Sequence, residues 1–288
     1  IPYLSMAKTP VVLRTLVGGA APLADYDLPE GEQILESVIA SGLRGRGGAG
    51  FPTGLKWKTA RDTAAEDRYV VANGDEGDPG AFVDRLLLEE APHAVLAGMA
   101  ACAKAIGATR GIVYIRGEYP IAIERMNAAI DLARQKKLLG RFDVTVAVGA
   151  GSYVAGEETA LLRSIEGLRA EPWPKPPYPA VKGLHGLPTI VQNVETLAVV
   201  PWVVKTRKKA DTKAICLSGA VMKTGVVEID LGTPFSKVLA EAGGGPKPGK
   251  RWKMALIGGP MGRVIPARDF DVPLSFEALP GLGHGGIV

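Results

Sequence analysis

Short buried-strand patterns alternate with helical patterns through the first half of the chain. Runs of β-branched and other apolar residues at 69–72, 112–115 and 144–148 predict three strands. Between them, an alanine-rich segment at 95–106 and an apolar stripe that Gly140 ends predict two helices. Strands that alternate with helices in this way form an α/β domain with a largely parallel sheet. Ligands of such sheets bind beyond the carboxyl ends of the strands, so the loops there are candidate sites.

The composition changes after about residue 208. Strand-like runs at 214–217, 226–229 and 254–257 surround one helical segment. This second region predicts a small α+β domain. The 288 residues therefore divide into an α/β domain at 1–209 and a second domain at 210–288.

A basic run lies between the two predicted domains and supplies part of the net charge of +4: Lys205, Arg207, Lys208, Lys209 and Lys213. Such a run could contact nucleic acid. No aromatic side chains interleave it to stack on bases, and no nucleic-acid fold signature accompanies it. We therefore interpret the run as a solvated linker and expect no nucleic-acid partner.

The sequence predicts a protein that does not insert into a membrane. The longest apolar candidate, at 94–103, stops at Lys104, well short of the ~20 residues that span a bilayer. The two cysteines, Cys102 and Cys216, are too few for a four-cysteine metal or cluster site and fit a reducing, cytoplasmic compartment. Because the chain starts at Ile1 and shows no signal sequence, we expect a fragment of a longer polypeptide.

A glycine-rich loop at 45–50 fits the spacing G-x-G-x-x-G. A Rossmann phosphate turn needs a preceding strand and a following helix, whereas a helix precedes this loop and Phe51-Pro52-Thr53-Gly54 follows it, so that turn is disfavoured. Four glycines in six positions still let the backbone lie against a flat or phosphorylated ligand. Arg44, Arg46 and Lys56 would supply positive charge for phosphates. A flexible surface loop is the alternative.

Polar side chains crowd the end of the first predicted strand: Asn73, Asp75, Glu76 and Asp78. Carboxylates there could bind a metal, act as an acid–base pair or accept hydrogen bonds from sugar hydroxyls. No histidine lies nearby in the sequence, which weakens the metal interpretation. Recognition of ribose or ribityl hydroxyls fits best beside glycine loops and positive charges. A solvated acidic turn is the alternative.

The loop at 149–156 leads into two carboxylates, Glu157 and Glu158, at the predicted start of a helix. The helix dipole alone can account for acidic residues there. Tyr153 in the loop offers an aromatic face, and glycines on both sides allow a planar heterocycle to approach.

The three histidines, His93, His185 and His284, lie in unrelated contexts. They form no metal-binding spacing and no nucleophilic triad with Ser152 or another serine. We interpret them as structural or exposed, and we expect no metal ligands and no hydrolase chemistry.

The segment at 41–57 resembles the signature of the FMN- and NADH-binding flavoprotein subunit of respiratory complex I. That family includes the diaphorase subunits of NAD-reducing hydrogenases and of molybdenum- or tungsten-containing formate dehydrogenases. Further runs resemble it in the same order, at 73–82, 114–119, 149–161, 175–184 and 192–197. The similarity covers nearly the whole chain.

The resemblance implies two sets of cofactor contacts and no catalytic side chain, because the flavin itself takes the hydride. The FMN site would use Gly45, Arg46, Gly47, Lys56, Asn73, Asp75, Glu76, Gly156, Glu157, Glu158, Gln192, Asn193 and Thr196. The NADH contacts would be Gly48, Phe51, Asp78, Tyr153, Glu158 and Tyr178, with Glu158 near the rings.

The resemblance also implies a Rossmann-like domain followed by a ubiquitin-like β-grasp domain of the SLBB type. In the family, a helical domain with a [4Fe–4S] cluster follows, and it is absent from these residues. The implied partners are a thioredoxin-like [2Fe–2S] subunit and a catalytic formate dehydrogenase, hydrogenase or quinone-reductase subunit. The implied location is the cytoplasm, which includes the cytoplasmic face of a membrane complex.

Four positions depart from the complex I pattern, which usually has glutamate, phenylalanine, cysteine and asparagine at Asp78, Tyr178, Ala155 and Gln192. Ala155 removes a sulfur close to the flavin, and Gln192 affects one contact with the phosphate or ribityl chain. The segments at 1–4, 258–262 and 270–274 look most similar to formate dehydrogenase β subunits, with complex I the next candidate. A nucleotide-binding scaffold without redox activity is the alternative of a different class.

Overall fold

The computed structural model describes residues 1–17, 22–279 and 282–288, and these form two sheets with helices packed on them. The strands are β1 (Tyr3–Ser5), β2 (Tyr69–Gly74), β3 (Arg110–Arg116), β4 (Asp143–Gly149), β5 (Thr189–Asn193), β6 (Thr212–Leu217), β7 (Gly225–Asp230), β8 (Met254–Ile257), β9 (Arg263–Pro266) and β10 (Gly286–Ile287). The α-helices are α1 (Arg14–Val17), α2 (Gly31–Ala40), α3 (Thr53–Asp62), α4 (Val83–Glu90), α5 (Pro92–Ile106), α6 (Pro120–Gln135), α7 (Glu158–Ile165), α8 (Val194–Thr206) and α9 (Phe235–Glu241).

The first sheet has the order β4-β3-β2-β5, and all three of its pairings are parallel. The predicted parallel α/β domain is therefore confirmed. Helix α5 lies in its core, where Gly98 packs against α8: an added Cβ would lie 2.0 Å from the carbonyl oxygen of Leu197. Only a residue without a Cβ lets these two backbones approach so closely.

The second sheet has the order β1-β7-β6-β10-β8-β9 and mixes parallel with antiparallel pairs. Helix α9 covers it, and Phe235 and Val238 on that helix are fully buried. Strand β1, which pairs with β7, comes from the first residues of the chain, although 1–209 were assigned to the first domain. Three residues are too few to show a strand period, so the sequence did not reveal this crossing.

Two local expectations were wrong. Helix α6 ends at Gln135 rather than at Gly140, because Lys137 takes a left-handed conformation (φ 55°) and the Leu138 N–H donates to the carbonyl oxygen of Ala133 (2.9 Å). In the basic run, residues 205–209 are exposed as expected, but Lys213 is fully buried.

Within the described residues no single helix has both the length and the apolar composition to cross a bilayer. The pair α4 and α5 passes that test only when taken together, and it is bent by 97°.

Candidate functional site

The predicted binding loops meet at one edge of the four-stranded sheet. β5 lies on one side of β2, and β3 and β4 lie on the other, so the winding direction reverses between β2 and β5. Parallel sheets bind ligands in the crevice at such a reversal. A Cβ added to Gly47 would lie 3.0 Å from the Cβ of Asn193, and one added to Gly45 would lie 3.7 Å from Nε2 of Gln192. The glycine loop therefore covers the end of β5 beside this crevice.

The glycine loop is held by a backbone hydrogen bond and by the Arg44 side chain. The Gly45 N–H donates to the Phe51 carbonyl oxygen (2.8 Å), and Arg44 Nε donates to that of Gly50 (2.8 Å). At Gly48, φ is +139° and no atom of the described residues lies within 4 Å of an added Cβ, so the space above it is open. Helix α2 precedes the loop and α3 follows it. The loop therefore differs from the Rossmann strand–turn–helix in that a helix, and not a strand, comes before it.

Arg46 points its charge into the protein. Its guanidinium donates to Glu195 (2.9 Å) and to the carbonyl oxygen of Ala210 (3.0 Å), and Lys213 donates to the same glutamate (2.6 Å). This corrects the expectation that the Arg46 side chain supplies charge for a phosphate. Its backbone N–H donates to Thr196 Oγ1 (2.9 Å), and a cofactor contact through the backbone of Arg46 stays a prediction.

Asn73 and Asp75 lie at the end of β2 against the loop that follows β4. Asn73 Nδ2 donates to the Gly156 carbonyl oxygen (2.9 Å), and Asn73 Oδ1 accepts from the Asp75 N–H (3.0 Å). The Asp75 side chain is 1% exposed, and its Oδ2 has no hydrogen-bond partner among the described residues. Burial raises the pKa of Asp75 to about 6, although Arg116, 3.7 Å away, works in the opposite direction. This carboxyl is poised to accept a hydrogen bond.

Glu76 and Asp84 are engaged in the structure. Glu76 accepts from three consecutive backbone N–H groups at the start of α4, at 2.8–3.1 Å: those of Val83, Asp84 and Arg85. Asp84 accepts from Asn193 Nδ2 (2.7 Å). Burial raises the pKa of Glu76, and burial together with the Glu76 charge raises that of Asp84. Glu76 therefore fixes α4, and the hydroxyl contact expected of it stays a prediction.

Two lysines hold the carboxylates at the start of α7. Lys56 Nζ donates to Glu158 (2.7 Å) and to the Val191 carbonyl oxygen (2.8 Å). Lys175 Nζ donates to Glu157 (2.8 Å) and to Glu158 (3.0 Å). Burial acts to raise the pKa of Glu158, but the two lysines outweigh it and the pKa is lowered. Glu158 is therefore ionised in a half-buried position beside the crevice.

Asp78 links the loop after β4 to the end of the chain. Tyr153 donates its hydroxyl to Asp78 Oδ1 (2.9 Å), and His284 Nδ1 lies 3.3 Å from Asp78 Oδ2. Burial acts to raise the pKa of Asp78, but His284 and Tyr153 outweigh it and the pKa is lowered. The rings of Tyr153, Phe51 and Tyr178 are 45–57% exposed, so their faces are available to a flat ligand.

Four residues at this site were missed by the sequence analysis: Asp84, Arg116, Lys175 and His284. Arg116 directly follows the strand predicted at 112–115, and Lys175 begins a run that resembles the family, so both carried a signal. His284 carried none, because it is isolated in the sequence and was interpreted as structural. Within the ranges that the structure describes, no group of three or more His, Cys, Asp and Glu side chains is placed to hold a metal ion.

Comparisons with known proteins agree with this geometry. Residues 38–202 match the model of the Nuo51 FMN-binding domain, and residues 214–265 match the SLBB domain. The chain is 45% identical over 278 residues to the NADP-reducing hydrogenase subunit HndC of Solidesulfovibrio fructosivorans, covering 89% of this chain and 56% of that protein. It is 43% identical over 279 residues to an NADH-quinone oxidoreductase subunit of Rhizobium meliloti, covering 89% of this chain and 66% of that protein.

A solved structure shares the whole fold. It is the NAD+-reducing [NiFe]-hydrogenase in its H2-reduced state, with a TM-score of 0.89 and 35% sequence identity, and the match covers 99% of this chain and 51% of that one. The chain thus spans about half to two thirds of the length of the relatives it matches. The predicted Rossmann-like domain followed by an SLBB domain is confirmed. The chain belongs to the Nuo51 FMN-binding family of the complex I and NAD-reducing hydrogenase flavoprotein subunits.

Proposed function

We propose that this chain transfers a hydride between NAD(H) and a bound FMN within a multi-subunit oxidoreductase. The observation that carries the proposal is a set of buried polar atoms without hydrogen-bond partners at the strand ends. Among the described residues they include Asp75 Oδ2, Gln192 Oε1 and Arg116 Nη1. Two acceptors and a donor beside bare glycine backbone fit the hydroxyls and flat rings of a flavin nucleotide. The family model, which describes an FMN-binding domain, supports the same cofactor.

The residues of the chain would place and orient two ligands. We assign FMN to Gly45, Arg46 (through its backbone), Gly47, Lys56, Asn73, Asp75, Glu76, Gly156, Glu157, Glu158, Gln192, Asn193 and Thr196. We assign NAD(H) to Gly48, Phe51, Asp78, Tyr153, Glu158 and Tyr178. When bound, FMN supplies a group that accepts a hydride and releases electrons one at a time.

The side chains act through placement and charge. Lys56 and Lys175 keep Glu158 ionised, so this carboxylate accepts hydrogen bonds and orients the ligands next to it. The open space above Gly48 lets a flat ring approach the loop backbone. No tuned acid–base pair is needed, since a hydride carries its own electrons.

We further propose that the partner enzyme is a molybdenum- or tungsten-containing formate dehydrogenase in the cytoplasm. The resemblance of 1–4, 258–262 and 270–274 to formate dehydrogenase β subunits supports this choice. Electrons would leave through a [4Fe–4S] cluster outside these residues and a thioredoxin-like [2Fe–2S] subunit. A hydrogenase or a quinone reductase is the alternative partner, since the relatives are subunits of both kinds. Mass spectrometry of the purified complex separates these partners: a nickel hydrogenase or a membrane arm would replace the formate dehydrogenase proposal.

The hydride transfer is tested by the Gly48→Val variant. The purified protein should show flavin absorbance that NADH bleaches in the absence of oxygen. Because valine would fill the open space above the loop, we expect bleaching by NADH to slow about 100-fold while bleaching by dithionite is unchanged. Gly140→Val is the matched control, since Gly140 also has a positive φ (+61°) and no described atom within 4 Å of an added Cβ. A colourless protein, or normal bleaching of Gly48→Val by NADH, would contradict the proposal.

A further inference from the structure

His284 lies where the second sheet meets the crevice. It lies two residues before β10, which pairs with β6 and β8. The intervening Gly285 carbonyl oxygen accepts from the Cys216 N–H of β6 (2.8 Å), so this segment is held to the second sheet. Gly283 forms an isolated bridge with Gly48, and a Cβ added to Gly47 would lie 3.6 Å from Nε2 of His284. The His284 ring, which is held to the second sheet, therefore lies against the glycine loop beside the first sheet.

Three residues contact the Asp78 carboxylate from different sides. Its Oδ2 lies 3.3 Å from His284, and its Oδ1 accepts from Tyr153 (2.9 Å). On the third side is Gly259, where an added Cβ would lie 2.5 Å from the Asp78 Cγ. Two of these three contacts come from the module that contains the second sheet, so Asp78 cannot shift without a change in that module.

The ring of His284 is surrounded by carboxyl groups. Asp75, Glu76 and Asp78 face it from the loop after β2, and Asp84 faces it from α4. Beyond Asp84 lies a buried cluster that contains both signs of charge: Arg46, Glu195 and Lys213. Burial acts to lower the pKa of His284, but Asp78 and the charges of Asp84 and Glu76 outweigh it and raise the pKa to about 8. The ring is therefore positively charged at neutral pH.

We propose that His284 is a positioning residue of the nicotinamide-nucleotide site: its ring holds the Asp78 carboxylate in the orientation that receives the Tyr153 hydroxyl. The inference rests on the proposed function, since Asp78 and Tyr153 contact NAD(H) only if that function holds. The inference adds that the module containing the second sheet takes part in NAD(H) binding. That module supplies His284, which orders two of the expected NAD(H) contacts, Asp78 and Tyr153.

The test uses His284→Asn in the purified complex with its flavin, with ferricyanide as electron acceptor. At pH 7 we expect the KM for NADH to rise about tenfold, because one charge-assisted hydrogen bond is lost, while kcat changes less than about twofold. Flavin content should be unchanged. The Kd of NAD+, measured by calorimetry, should rise by the same factor as KM. His185→Asn, at an exposed histidine beside Glu166, is the matched control and should leave both constants unchanged.

The pH dependence of the KM for NADH distinguishes this role from a purely structural one, which would leave that dependence unchanged. Because the imidazolium is lost as the pH rises through about 8, the wild-type KM should climb between pH 7 and pH 9. In His284→Asn it should stay flat. Tyr153→Phe should raise KM by itself, and the double variant should show less than the product of the two effects, because both act through Asp78.

Several outcomes would overturn the inference. They are an unchanged KM and Kd in His284→Asn, a fall in kcat alone, a loss of flavin, or fully multiplicative effects in the double variant. If His284→Asn does not fold, a flat wild-type profile between pH 7 and pH 9 overturns it and a step near pH 8 supports it. Failure of the proposed function looks different: the wild-type flavin would not be reduced by NADH.

Discussion

Carboxylates around the crevice differ in charge because their neighbours differ. Glu158 and Asp78 have donors close by, namely Lys56 and Lys175 for the first, and Tyr153 and His284 for the second. Their pKa values are lowered despite burial. Burial raises the pKa of Asp75, and no comparable donor offsets it: its Oδ2 has no hydrogen-bond partner in the described structure. Carboxyl groups at one site therefore behave in two ways: Glu158 and Asp78 stay ionised, whereas Asp75 titrates.

Asp75 makes stability depend on pH in the flavin-free protein. Its pKa rises from 3.8 to about 6 on folding, so its contribution to stability is fully present below pH 3.8 and is lost as the pH rises through about 6. Asp75→Asn, which cannot ionise, should therefore be more stable than wild type by about 1–3 kcal/mol at pH 8, with a smaller difference at pH 5. Urea unfolding at both pH values measures this. An equal difference at both pH values would contradict the burial argument.

Helix starts around the crevice are built from residues of the site itself. Glu76 accepts from the first N–H groups of α4, Glu157 accepts from those of Thr159 and Ala160 in α7, and Asn193 accepts from that of Thr196 in α8. A helix start leaves N–H groups without intrahelical partners, and a nearby polar side chain satisfies them. These three residues therefore fix helices as well as line the site, and their replacement will disturb more than ligand binding.

Glu76→Ala should loosen the first turn of α4. Three backbone N–H groups lose their acceptor, so we expect amide exchange at residues 83–85 to speed up about 10- to 100-fold. Hydrogen–deuterium exchange by mass spectrometry measures this, and the same sample reports how much FMN is retained, which we expect to fall. Glu90→Ala, an exposed glutamate at the other end of α4, is the control. Unchanged exchange at 83–85 would show that Glu76 does not hold the helix.

The two sheets are joined by buried ionic contacts rather than by apolar packing alone. Glu195 on α8 receives Arg46 from the glycine loop and Lys213 from β6, and the three side chains are 0–3% exposed. Glu228 on β7 accepts from the N–H groups of residues 11–13, which tie the start of the chain to the second sheet. Both sets of contacts connect distant parts of the sequence, and the Glu195 cluster ties the glycine loop to β6 of the second sheet.

Glu195→Ala should destabilise the whole molecule by about 3–5 kcal/mol, because it leaves two buried cations without their shared carboxylate. The free energy of unfolding in urea measures this effect. Glu241→Ala, in a surface pair with Lys237, is the matched control and should change stability by less than about 0.5 kcal/mol. A loss of similar size in both variants would contradict the role of the buried cluster.

The local pattern of the chain determined the parallel α/β domain, the glycine loop and the acidic strand end. These depend on short-range properties: strand and helix periods, and glycine where the backbone must stay bare. The same local pattern predicted a small second domain, and the family resemblance supplied the cofactors and the SLBB type of that domain. The boundary at 209/210 remains a prediction.

Only the tertiary structure decided which charges face the crevice. Arg46 and Lys213 belong to basic segments in the sequence, yet both turn inward to Glu195. His284 looked isolated, yet it meets Asp78 across 206 positions of the chain. The physical reason is that a buried charged side chain needs a partner that compensates the cost of its desolvation. Contacts between distant segments of the chain determine which partner is within reach. The local periodicity of the sequence carries no information about those contacts.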